Sequence, residues 1–135
     1  MKRTPYFVTV LLLISLLSAT VLAEDWTRFR GAGGLGVSTD TESLPATWSD
    51  TENLEWKAAL PGPGSSSPVV LGDRVFVTCY SGVEGENVEQ LKRHLVCVDR
   101  GTGEIVWKTV VEAEQPEDPY RGFITEHGYA SHTPV

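Results

Sequence analysis

The side chains of this chain whose chemistry could reach beyond packing are the serine run Ser65, Ser66 and Ser67, the histidines His94, His127 and His132, and the cysteines Cys79 and Cys97. A serine nucleophile needs a strained elbow that lifts its hydroxyl toward a base. Neither the serine run nor Ser131 beside His132 lies in a Gly-x-Ser-x-Gly setting, so hydrolase chemistry is not expected. The spacing of His127 and His132 suits neither a strand pair nor a helix pair, and no cysteine joins them. Even with Glu126 adjacent, a metal site is not expected. The polar stretch around Glu126, His127 and Tyr129, with Tyr120 and Arg121 before it, reads instead as a loop. Tyr120, Arg121, Glu126 and His127 are the candidate ligand-facing residues, for a protein or small-molecule partner. The glycines Gly31, Gly33, Gly34 and Gly36 pose the question of a phosphate loop. No Lys-Ser/Thr pair follows them and no apolar strand precedes them, so a nucleotide cradle is not expected.

The elements that must carry these residues are strands. Val96-Cys97-Val98-Asp99-Arg100-Gly101-Thr102-Gly103-Glu104-Ile105-Val106-Trp107-Lys108 spells strand, tight turn and returning strand. Asp99 can accept hydrogen bonds from backbone N–H groups two or three residues on, and Gly101 and Gly103 supply the reversal. Upstream, residues 66–71 form a strand, Gly72-Asp73 a two-residue turn, and residues 74–80 a returning strand. Val75, Val77 and Cys79 fall on one face of that strand, with Phe76, Thr78 and Tyr80 on the other. Residues 91–99 and 104–111 are the third and fourth strands. Apolar residues on both faces predict a sheet covered on both sides. Residues 54–60 are predicted as an additional N-terminal strand, ended by Pro61-Gly62-Pro63-Gly64. Cys79 and Cys97 sit on neighbouring strands. They are a candidate disulfide if the intervening loop centres near Val88, and otherwise small apolar fillers of a buried sheet.

Partial self-similarity points to a repeat. Asn53-Leu54-Glu55-Trp56-Lys57 echoes Glu104-Ile105-Val106-Trp107-Lys108. The stretch Gly64-Ser65-Ser66-Ser67-Pro68-Val69 after Trp56 echoes Ala130-Ser131-His132-Thr133-Pro134-Val135 after Trp107. The longer interval after Trp107 places an insertion in the charged, proline-bearing residues 112–118.

With every position of Asp99-x-x-Thr102-Gly103-x-x-x-Trp107 filled, the chain resembles the quinoprotein-type β-propellers, whose blades carry that signature. The opening Trp26-Thr27-Arg28-Phe29-Arg30-Gly31 and the run from Ser67 to Val77 look like the N-terminal part of secreted bacterial members with PQQ-like repeats. The resemblance implies an all-β fold: about one four-stranded antiparallel blade plus an N-terminal strand, the first wedge of a longer ring. It implies that Trp107 and Trp56 are blade packers and that Asp99, Thr102 and Gly103 form the turn. Within the family two activities are open. One is a non-catalytic binding or scaffold module, similar to an outer-membrane assembly lipoprotein. The other is an oxidoreductase resembling the quinoprotein alcohol and glucose dehydrogenases, which hold pyrroloquinoline quinone and calcium on the propeller axis. This chain has no adjacent-cysteine pair and no matching acid cluster, so a cofactor site would have to lie in further blades, and binding or scaffolding is the expected function.

The ends and the charge fit export. Lys2 and Arg3, the apolar run 6–17 and Val21-Leu22-Ala23 read as a signal peptide over residues 1–23. An irregular segment follows over 24–52, and residues 53–135 are the expected start of the propeller. Formal net charge is −7, and loss of Lys2 and Arg3 makes the remainder more acidic. Basic residues are isolated or paired, so nucleic acid is not an expected partner, and no membrane span is expected after cleavage. The expected location is secreted or periplasmic.

Overall fold

The computed structural model describes residues 24–39, 43–113, 117 and 127–135, and the expected signal peptide lies outside them. The chain is all-β. One antiparallel sheet is built from β1 (Val69–Leu71), β2 (Arg74–Ser81), β3 (Lys92–Asp99) and β4 (Ile105–Glu112), in spatial order β1-β2-β3-β4. Two of the three connections are short reversals written in the sequence, Gly72-Asp73 between β1 and β2 and residues 100–104 between β3 and β4, while the longer loop 82–91 joins β2 to β3. A 3-10 turn spans Ala32–Gly34.

β2 and β3 each have a strand on both sides, and β3 carries most of the strands' buried side chains. Val96, Cys97 and Val98 are all but inaccessible, joined from β2 by Cys79. Register explains how the two faces divide. Val77 lies opposite Val96 and Val75 opposite Val98, so Val75, Val77 and Cys79 share one face with Val96 and Val98. We call this face A. Phe76 lies opposite Cys97, which in turn lies opposite Trp107, placing these three on face B. The Phe76 and Trp107 rings meet there at 6.0 Å between centroids.

The expected N-terminal strand is corrected by this arrangement. Residues 54–60 make no ladder. Instead Trp56 and Ala58, two residues apart, both pack onto the cluster of Cys79, Val96 and Val98. The segment covers face A with alternate side chains rather than extending an edge with its backbone.

The two edges of the sheet are treated differently. The outer edge of β1 is closed by Trp26, whose N–H donates to the Val70 carbonyl at 2.9 Å and whose carbonyl accepts from the Val70 N–H at 2.8 Å. Beyond β1, residues 63–66 continue along β2. Tyr80 N–H donates to the Pro63 carbonyl, while the Ser66 hydroxyl both donates to Thr78 O and accepts from Thr78 N–H. A Cβ on Gly62 would sit 2.0 Å from the Tyr80 carbonyl oxygen, so the chain passes too close there for any side chain. Among the described residues β4 has no strand on its outer side, and all eight of its residues are exposed.

A bulge marks the start of β4. Cys97 opposes Trp107 while Val98 opposes Ile105, leaving Val106 as the extra residue.

Candidate functional site

The turn at 99–103 gathers several hydrogen bonds on one carboxylate. Asp99 Oδ1 accepts from the Gly101 and Thr102 N–H groups, each at 3.0 Å, and from the Thr102 hydroxyl at 3.3 Å. Gly103 N–H donates to the Asp99 carbonyl at 2.9 Å, with Gly103 at φ +74. The other carboxylate oxygen accepts from Arg74 Nη1 at 2.6 Å. Arg74 Nη1 also donates to the Asp73 carbonyl, and Arg100 N–H donates to the same oxygen, so the two turns at this end of the sheet are tied together. Donors converging on a carboxylate favour its ionised form. The Thr102 N–H chiefly, with Gly101, the Thr102 hydroxyl and the Arg74 charge, holds Asp99 below the ordinary carboxylate range against partial desolvation.

Trp56 closes over this turn. Its Nε1–H donates to the Arg100 carbonyl at 2.8 Å. Its ring stands where a Gly103 side chain would be: an added Cβ would lie 2.6 Å from Cδ2 and Cε3 and 2.8 Å from Cγ. The indole is therefore held at its polar edge by one hydrogen bond and on its face by a bare backbone. The structure thus brings together Asp99, Thr102, Gly103 and Trp56. Trp107 lies apart from them, on the other face.

On face B, Trp107 and Phe76 line an apolar groove of about 330 Å³ with Val69, Leu71, Leu95 and Pro134. The C-terminal residues reach this side by hydrogen bonds: Ser65 N–H donates to the Ala130 carbonyl, the Thr78 hydroxyl to the His132 carbonyl, and Ser67 N–H to the Thr133 hydroxyl. Tyr80 and Tyr129 meet edge to face, and Arg93 Nε donates to the Tyr129 carbonyl while its Nη2 pairs with Glu117. The Ser66 hydroxyl is thus occupied in structural hydrogen bonds, and Ser67 is tied through its backbone N–H. Of the candidate ligand-facing residues, Tyr120, Arg121 and Glu126 lie outside the described residues, and His127 is exposed.

The candidate disulfide is not formed. Both thiols are free and buried. Cys79 pairs in register with His94, and Cys97 with Phe76, which is three residues from Cys79 along β2 and on the opposite face. Burial raises the Cys79 thiol pKa, so it stays protonated and inert.

One residue is more deeply engaged than its sequence context indicated. His94 is buried on face A and shares a 2.7 Å hydrogen bond between Nε2 and the Ser81 hydroxyl, while Nδ1 finds no hydrogen-bond partner. Burial first, then the Lys108 and Lys92 charges, lower its pKa, so the ring is held neutral. The alternation that placed Cys79 on face A could have flagged Ser81 and, opposite it in sense, His94.

Among the described residues no group of three or more His, Cys, Asp or Glu is placed to hold a metal ion. No helix among them is long and apolar enough to cross a membrane. Compared with protein-family models, curated proteins and solved structures, the chain matches none.

Proposed function

We propose that the chain is part of a non-catalytic binding or scaffold module of the PQQ-like β-propeller kind, exported from the cytoplasm. The observation that carries this reading is the docking of Trp56 on the turn at 99–103. Trp56 and Trp107 stand in matching local sequences, and the first is seated on the Asp-x-x-Thr-Gly turn that precedes the second. A repeat built this way gives each unit a turn that receives the preceding tryptophan and a tryptophan for the turn that follows. Trp107 is 42% exposed beside an apolar groove, as such a residue would be before its own turn is supplied.

Binding is favoured over catalysis because three of the described side chains that could act as nucleophile, acid or base serve the fold. Ser66 extends a ladder, Asp99 organises a turn, and His94 is buried neutral. Surface acidity and the N-terminal signal pattern support an extracytoplasmic setting.

Two measurements test the reading. Appending residues 70–113 after Val135 continues Pro134-Val135 as Pro68-Val69 continues in the chain itself. Trp107 emission should then shift to the blue and resist quenching by iodide; a Trp107 as accessible as before refutes the repeat. Incubating the protein with pyrroloquinoline quinone and calcium should give no dye reduction with alcohols or glucose, and turnover dependent on both would reverse the ranking.

A further inference from the structure

We propose that the bare edge of β4 pairs with β4 of a second copy of this chain, in antiparallel register centred on Val110. Among the described residues β1 and β4 are the two edges of the sheet, and only β1 is closed, by the Trp26 backbone. β4 is exposed at all eight residues, and its apolar, β-branched sequence suits strand addition.

Charge selects the occupant and the register. A two-fold axis through Val110 sets Lys108 of each protomer opposite Glu112 of its partner, and Thr109 opposite Val111. Among the described residues Lys108 has no carboxylate within ion-pair distance. Glu112 has Lys92 at 3.5 Å on its inner side and is largely exposed on the other. The paired edges therefore carry a continuous row, Lys92, Glu112 and the other protomer's Lys108, on face A. Centring on Val106 would also oppose Glu104 to Lys108. However, Val106 is the unmatched residue of the bulge, and the irregular backbone there cannot continue a regular ladder. The straight part of β4, from Trp107 to Glu112, admits the register at Val110.

This inference is independent of the proposed function, since it uses an edge and not the tryptophan-bearing faces. Sedimentation equilibrium of the whole chain and of K108E, E112K and the double exchange K108E/E112K tests it, with circular dichroism confirming that each variant is folded. The expected result is a reversible dimer that each single exchange weakens about tenfold or more and that the double exchange, which also sets a lysine beside Lys92, restores in part. A monomeric wild-type chain overturns the proposal. So does a dimer indifferent to the single exchanges, which would point to association through face B, or a failure of the double exchange to restore it.

Discussion

The Trp56 ring occupies the space in which a Gly103 side chain would project, and its Nε1–H reaches past to the Arg100 carbonyl at 2.8 Å. Residues far apart in sequence thereby fix one another. The tryptophan needs a bare backbone, and the turn needs a cover for a carbonyl that faces away from the ladder.

Gly103→Ala should destabilise the chain by about 2–3 kcal/mol, combining the positive φ with a Cβ driven into the indole. Trp56 emission should shift to the red at the same time, because the ring must leave its seat. Urea denaturation and fluorescence report the two effects, and an unchanged spectrum with full stability would show that the contact is dispensable.

The two tryptophans should differ in what they contribute. Trp56→Ala removes a ring packed on the core cluster and leaves the Arg100 carbonyl without its donor, a loss of about 3 kcal/mol or more. Trp107→Ala removes a half-exposed ring that meets Phe76, at a cost of about 1 kcal/mol. Comparing midpoints in urea checks the order.

Acid should weaken the turn. Asp99 in the folded chain has a pKa below its ordinary 3.8, so its contribution is complete above that value and is lost as pH falls through the folded one. Asp99→Asn should be less stable than the parent at neutral pH and lose less between pH 5 and the acid limb. Glu24, lowered chiefly by the Thr39 N–H, titrates in the same sense, so the variant flattens the curve without abolishing its slope.

A second pH window belongs to His94. Its folded pKa lies below 6.5, so the unfolded chain takes up the proton first. Stability is complete above 6.5 and declines as pH falls through the folded value, then levels off. The facing groups are Lys108, Lys92, Ser81 and Cys79. His94→Phe should remove the decline, and Lys108→Met should reduce it by relieving repulsion; denaturation curves at pH 7 and below test both.

Neither reductant nor mild oxidant should move the thermal midpoint, since Cys79 and Cys97 face opposite sides of the sheet. Thiol counting should find two groups, masked in the native chain and reactive in denaturant. An intact-mass difference of one disulfide before and after reduction would contradict the register.

Much of the sheet was legible because its punctuation is local. Gly72-Asp73 and the run from Asp99 to Gly103 each fix a reversal with adjacent residues, and the alternation in β2 assigned Val75, Val77 and Cys79 to one face correctly. Register across the long loop 82–91 was not local. A centre near Val88 would have aligned the cysteines, whereas the strands pair Cys79 with His94, a shift by an odd number of residues that changes the face. Residues 54–60 misled for a related reason. Alternating apolar side chains look alike whether the segment joins a ladder or lies across a sheet with Trp56 and Ala58 turned inward. His94 and Ser81 escaped because their pairing depends on that same register.

The seat for Trp56 opens with face A, while Trp107 stands on face B. A tile with its socket on one side and its peg on the other cannot mate with itself through those features. On the proposed repeat reading such units would add in one direction only, leaving two unlike ends that must be brought together or stoppered.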